Sequence, residues 1–185
     1  MRLSGFPELS TRRLRLRRWS HEDRKCFAAI NQDPHVTEFL PRSLTRAQSD
    51  ALADRIEAGF EERGFGLWAV EVVDTAPFIG FVGLSVPSFD APFMPAVEVG
   101  WRLDHEYWGC GYATEAAGAS LSFGFDVLGL SEIVAFTTVS NVRSRRVMER
   151  LGMTHDPADD FEYPLLAAES PLRKHVLYRV QRRDG

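Results

Sequence analysis

The chain has 185 residues, 44% apolar and 26% charged, enough for one domain with a full core and ordinary for a globular protein. Its formal net charge of −4 argues against a general nucleic-acid binder, which needs a strong positive field, and no apolar run approaches the roughly 20 residues that span a bilayer. Two cysteines, Cys26 and Cys110, suit neither a metal motif nor a disulfide scaffold, so the expected setting is a reducing cytoplasm with no metal site.

Residues 1–10 read as a loose lead-in. The early arginines raise the idea of a transit peptide, but Glu8 and the alternation that follows favour a strand. Arg13-Leu14-Arg15-Leu16-Arg17 has period two, which turns the leucines inward and leaves the arginines exposed. Ser20 is the expected cap of a helix to about Ile30, with Asp23 in its first turn to favour the dipole. Pro34 and Pro41 bracket an irregular piece. Thr45 starts a second helix to Glu62 or Arg63, with Ala47, Ala51, Leu52, Ile56 and Phe60 at helical spacing and Gly64 and Gly66 at its end. Strands are expected over 67–73 and 78–86, joined by a hairpin turn at 74–77. Gly80 and Gly83 inside the second imply a bulge or a close backbone approach. The loop 87–95 carries Phe89, Phe93 and Met94, so it either lines a pocket or packs on the core.

The most informative stretch is 97–116. A strand over 97–103 breaks at a loop with two glycines, Gly109 and Gly111, and a helix runs from Thr114 to Asp126 or Leu128. It presents Ala113, Ala116, Ala117, Leu121 and Phe125. The first N–H groups of a helix lack internal partners and carry partial positive charge, and glycine lets them approach a phosphate, so the stretch reads as a pyrophosphate cradle. The dinucleotide fingerprint is missing, because Thr114 replaces its third glycine and three strands come first. The P-loop lysine motif is missing too. Downstream, 133–139 is a strand buried on both faces. Asn141 caps a short helix through Arg150, which Gly152 ends, and a tail loop around Pro164 and Pro171 precedes a last strand over 174–179. The fold class is mixed α/β on one sheet, a single domain over 1–185 with its core at about 12–180.

Trp108-Gly109-Cys110-Gly111-Tyr112-Ala113 resembles the acyl-CoA loop of the GNAT N-acetyltransferase superfamily, with Trp108 where many members have Gln or Arg. Residues 107–116 match the string Y-W-G-x-G-Y-A-T-E-A of its RimJ/RimL-like branch. Residues 141–153 look like that branch's N-x-x-S-x-x-V-x-x-x-x-G-[MF] helix, and the opening Leu14-Arg15-Leu16-Arg17 is a weaker third match. The resemblance implies a GNAT acyl-CoA N-acyltransferase fold: a central, mostly antiparallel sheet, splayed at the fourth and fifth strands and flanked by helices.

The same resemblance implies an acetyl-CoA-dependent N-acetyltransferase that passes the acetyl group directly, in a ternary complex, to a primary amine on a protein N-terminus or a small molecule. The cofactor contacts it implies are Trp108, Gly109, Cys110, Gly111, Tyr112, Ala113 and Thr114 at the pyrophosphate, with Cys110 giving only its backbone. The backbones of Trp101 and Leu103 would pair with the pantetheine arm, and an N–H near Gly100 or Trp101 would face the oxyanion. Glu98 is the candidate base, otherwise a salt-bridged or exposed strand carboxylate. Asn141 is implied as a pantetheine contact and Ser144 as a neighbour of the thiol, roles compatible with a helix cap and a first-turn serine. Met148 stands where many members carry a tyrosine acid, which leaves Ser144, and as alternatives Tyr178 and His175, to serve the leaving thiolate. Among Arg143, Arg145 and Arg146, Arg145 is the candidate for a cofactor phosphate, the rest being a solvated face. His21, His35, His105 and His155 read as scattered surface histidines. The acceptor groove is expected between 20–63 and 155–172, where Asp156, Asp159, Asp160, Glu162 and Glu169 form either an acidic rim for a cationic acceptor or solvated loop carboxylates. The competing function is a non-catalytic acyl-CoA-binding or sensing module. Expected partners are the amine acceptor, no nucleic acid and no membrane, with the chain a monomer or homodimer.

Overall fold

The computed structural model describes residues 7–182. The expected lead-in lies partly outside them, but Leu9–Ser10 (β1) already pairs with Leu14–Arg17 (β2), in which Leu14 and Leu16 are fully buried. The arginines around β2 are not simply exposed, as the sequence suggested. Arg17 pairs with Asp23 at 2.8 Å and Glu71 at 3.1 Å, and Arg18 with Glu57 and Glu61.

Helix α1 runs over Asp23–Ile30. Ser20 does not cap it with its hydroxyl. Its backbone N–H donates to Asp23 Oδ2 at 2.7 Å, and Asp23, 3% exposed, is held by Arg17 rather than standing free in the helix field. The expected irregular piece contains the short α2, Pro34–Thr37, capped by Asp33. Helix α3, Arg46–Arg63, starts with a capping box between Thr45 and Gln48 and stops at Gly64, whose φ of 77° is left-handed. Its buried stripe is Ser49, Ala53, Ile56, Gly59 and Phe60, so it is rotated from the expected one. Ala47 and Ala51 face solvent, because alanine is tolerated on either side of a helix and does not fix its phase.

Strands β3 (Leu67–Val72), β4 (Gly80–Ser85) and β5 (Glu98–Leu103) follow as an antiparallel series. The close approach expected at the β4 glycines is present. A Cβ on Gly83 would stand 2.2 Å from Gly66 O, and one on Gly80 2.2 Å from Arg102 O. A 3₁₀ turn, His105–Tyr107, leads to helix α4, Tyr112–Asp126, which starts two residues earlier than expected. Then come β6 (Glu132–Thr138), α5 (Val142–Arg150), β7 (Thr154–His155), β8 (Phe161–Glu162) and β9 (Lys174–Gln181).

The sheet order is β1-β2-β3-β4-β5-β6-β9-β7, with β8 added on β9. Every pairing is antiparallel except β5 with β6, which run parallel and meet at one bridge, Glu98 with Val134. Beyond it they part, which is the splay expected between the fourth and fifth strands of the sequence reading. The main core packs Leu14, Leu16, Phe27, Phe60, Trp68, Ile79 and Leu84 between helices and sheet. The loop 87–95 joins a separate aromatic cluster. Phe89 and Phe93 meet Phe136, Phe161 and Tyr163, and Tyr163 stacks on His175 at 4.9 Å.

Candidate active site

Where β5 and β6 part, backbone groups lose their strand partner. Val97 O accepts from Val134 N at 2.9 Å, so the odd residues of β5 point towards β6. The alternation along a strand then aims Trp101 and Leu103 into the opening, while Gly100 turns to β4, opposite Gly83. Of the two positions weighed for an oxyanion donor, only Trp101 turns its N–H into the gap. Leu103 O is taken by the Trp108 indole N–H at 2.9 Å, which fixes the loop to the strand.

That opening widens into a cavity of about 350 Å³. Its walls bring together Trp101, Leu103, Trp108, Gly109, Gly111, Tyr112, Ala113, Thr114, Asn141 and Ser144. Gly109 and Gly111 hold φ of 76° and 81°, which disfavour any side chain. Gly111 is the N-cap of α4 and offers no side-chain cap, so the first N–H groups of that helix remain available to an anion. The loop is braced from β2's end. Arg13 donates to Cys110 O at 3.0 Å, lies 4.6 Å over the Tyr112 ring and pairs with Glu115 at 2.7 Å. Burial works to raise the Glu115 carboxyl, but hydrogen bonds from Thr11 and Arg13 outweigh it and hold the group below its usual range. Cys110 does not line the cavity, and its thiol is exposed.

Asn141 caps α5 by accepting from Ser144 N at 3.2 Å, and its amide donates to Thr137 Oγ1 and to Ser144 Oγ. With that bond the Ser144 oxygen acts as acceptor, and its proton has no acceptor among the described residues. Met148 is 2% exposed and belongs to the core. The Tyr178 hydroxyl donates to Glu149 at 3.1 Å and accepts from Arg145, so it is not free to serve as an acid. Arg145 also reaches Val139 O and is not among the residues that line the cavity; the arginines that do are Arg102 on β5 and Arg143, Arg146 and Arg150 on α5. Arg145, the expected phosphate contact, is thus turned to Tyr178 and Val139 O. One-helix spacing cannot show that a tyrosine on β9 will claim its guanidinium. Arg143 crosses the cavity mouth to pair with Glu38 and stacks 4.8 Å from the Trp108 ring.

Glu98 stands at the bridge where the strands still touch. Among the described residues its carboxyl accepts only from Ser85 Oγ, at 3.3 Å. Burial pushes it from 4.5 to about 8, against the lesser downward pull of Ser85. The salt-bridged alternative is excluded among the described residues. By the register, Glu98, Val134 and Phe136 share one face, so the aromatic cluster walls the carboxyl. Tyr163 there is raised by burial and then by the Glu98 charge, and burial lowers His175. Tyr163 and Ser85 escaped the sequence reading: Ser85 is legible only through the β4–β5 register, and Tyr163 lies in an irregular tail.

The tail carboxylates are mostly structural. Asp159 pairs with Arg179, Asp160 with His155 and Glu162 with Arg173, while Asp156 caps a 3₁₀ turn. His35 and His105 are not scattered. Their rings stack at 4.2 Å, and with Asp33 their donor atoms lie within 4.8 Å of one another. No helix among the described residues is long and apolar enough to cross a membrane.

Comparison with known proteins bears on this arrangement. The family model described as Acetyltransferase (GNAT) domain matches residues 13–154. The chain is 30% identical over 162 residues to an FsC-acetyl coenzyme A-N(2)-transacetylase of Aspergillus fumigatus, covering 84% of this chain and 68% of the relative. It is 30% identical over 149 residues to the uncharacterized N-acetyltransferase YoaA of Bacillus subtilis, covering 80% and 82%. An acetyltransferase structure from Agrobacterium tumefaciens superposes with a TM-score of 0.77 at 26% identity, over 97% of both chains. A ribosomal-protein-S5-alanine acetyltransferase from Vibrio fischeri shares the fold at TM-score 0.75 and 18% identity, over 96% and 98%. The chain belongs to the GNAT acetyltransferase family.

Proposed function

We propose that this single domain is an acetyl-CoA-dependent N-acetyltransferase of the RimJ/RimL-like kind that moves the acetyl group directly to a primary amine. One observation carries the reading: β5 and β6 meet at a single bridge, with Glu98 at the closed end and the glycine loop at the open end. The name of the fungal relative supports acetyl-CoA and a nitrogen acceptor. The two free cysteines agree with a reducing compartment.

The residues fit acetyl-CoA, which supplies an activated thioester. The N–H groups from Gly109 to Thr114 would hold its pyrophosphate, with Arg146 or Arg150 as nearby charge in place of Arg145. The unpaired edge at Trp101 and Leu103 suits the amides of its arm. Trp101 N–H is the donor placed for charge that develops on a carbonyl oxygen in the gap.

Glu98 removes the proton from the amine. A base near 8 matches an α-amino group, which titrates at ~7.7–8.0. Its aromatic walls keep bulk water away, and Ser85 orients it. Ser144, oriented by Asn141, donates to the leaving sulfur in the role that Met148 cannot fill. The test is initial-rate kinetics with acetyl-CoA and amine both varied. Intersecting double-reciprocal lines are expected; parallel lines would indicate an acyl-enzyme and contradict direct transfer.

A further inference from the structure

Arg102 is half-buried, and among the described residues no carboxylate pairs with it. Its Nη1 donates to Asn31 Oδ1 at 2.6 Å, and its guanidinium lies 5.5 Å from the Phe81 ring centroid. Asn31 is itself fully buried and is fixed by donating to Ser49 Oγ at 2.8 Å. These partners orient the guanidinium but bring no negative charge. Burial alone accounts for its lowering to about 10. Other partly buried arginines of this fold are matched: Arg17 by Asp23 and Glu71, Arg179 by Glu132 and Asp159. An enclosed cation without a counter-charge costs several kcal/mol, so its place in a fold asks for an anion from elsewhere.

The position says which anion. Arg102 lines the cavity opposite the α2 region, where His35, Val36, Phe39 and Leu40 form the wall. Along β5 it shares a face with Glu98, roughly 13 Å away in Cα spacing at ~3.3 Å per residue. Between them lies Gly100, where a Cβ would meet nothing but the Glu98 carboxyl, at 3.6 and 3.9 Å. Arg102 lines the cavity and Glu98 and Gly100 do not, but the shared face runs from a proton acceptor at one end, past a residue with no side chain, to a guanidinium that uses only Nη1 among the described residues. The two charged ends do not reach each other, since no ion pair joins them and neither shifts the other's titration. The phosphate end of the cavity is separate, served by the α4 N-terminus and the α5 arginines.

We propose that the acceptor is a small amine that also carries a carboxylate, with the amine at Glu98 and the carboxylate on Arg102, which Asn31 holds in position. This rests on the acetyl-transfer reading. The Nη2 and Nε donors of Arg102, unused among the described residues, suit a bidentate carboxylate contact, and discrimination of ~30–150-fold follows from ~2–3 kcal/mol for such a charged pair.

The test is thiol release from acetyl-CoA with matched acceptors: L-alanine and ethylamine, L-phenylalanine and phenethylamine, each acid also as its amide, and a short peptide with a free N-terminus. The wild-type protein is expected to favour the free acids by ~30-fold or more in kcat/KM. In Arg102→Gln that preference should fall to within ~3-fold, chiefly through acceptor KM, while the acetyl-CoA dissociation constant holds; Arg102→Lys should keep part of the preference. Equal or better use of ethylamine, phenethylamine, the amides or the peptide by the wild-type protein overturns the proposal and leaves acetyl transfer standing. A rise in the acetyl-CoA dissociation constant in Arg102→Gln with the preference intact also overturns it. Turnover of no amine at all would remove both this proposal and the transferase reading. The wild-type panel decides by itself if the variants do not fold.

Discussion

Replacing Glu98 by Gln should separate catalysis from stability. The side chain keeps its shape and its contact with Ser85 but loses the ionisable group. The folded carboxyl titrates at about 8 and an ordinary one at 4.5. The folded state therefore holds this proton more tightly than the unfolded chain does. The stability that Glu98 contributes is full below 4.5 and is lost as pH rises through about 8. At ~1.4 kcal/mol per tenfold in proton affinity the loss has a ceiling of ~5 kcal/mol, and because part of the residue's surface is open a figure of ~2–3 kcal/mol is expected. Glu98→Gln should thus match the wild-type protein near pH 4.5 and exceed it by ~2–3 kcal/mol at pH 9, or roughly 5–10 °C in Tm for a domain of this size. Over the same range its kcat should fall by ~10²–10⁴-fold, the usual worth of a general base, with the acetyl-CoA KM unchanged. Wild-type kcat should rise with pH through about 8. Thermal melts at several pH values and saturating-substrate rates give both readings. Parallel stability profiles, or an unchanged kcat, would refute the assignment of Glu98 as an enclosed base.

Ser144→Ala should lower kcat by about tenfold while acetyl-CoA binding, measured by calorimetry, stays the same, since the Asn141 amide keeps Thr137 as a partner. Gly111→Ala forces a side chain into a φ of 81°, so it should cost ~1–2 kcal/mol in chemical denaturation and weaken acetyl-CoA binding by disturbing the first turn of α4. Asp23→Ala strips the half-buried Arg17 of its 2.8 Å partner and frees the Ser20 N–H. With Glu71 still in place, a loss of ~3 kcal/mol is expected in urea titrations.

The sequence was most legible where local rules act alone. Alternation placed Leu14 and Leu16 inward, the Thr45 and Gly64 signals bounded α3, and the glycine pattern marked the loop before α4. It was least legible where the outcome depends on what the chain folds against. Ala47 and Ala51 could not fix the phase of α3, because alanine is indifferent to burial. Ser20 lost its capping role because Arg17, six residues before Asp23, organises that turn. Arg145 was drawn to Tyr178 on a distant strand, while Arg102, in a strand that reads as a simple alternation, emerged as a half-buried cation with no carboxylate partner among the described residues. Glu98 was singled out through the family resemblance. Its surroundings could not be read, because Tyr163 reaches it from the irregular tail, with His175 of the last strand stacked on that ring.

The most direct measurement incubates the protein with isotope-labelled acetyl-CoA and the amine panel, then follows the label in both protein and small-molecule fractions by mass spectrometry. Label on the nitrogen of an acceptor, with none on Cys110, is the expected result. Release of CoA without a labelled amine, or label accumulating on the protein, would contradict direct transfer beside Glu98.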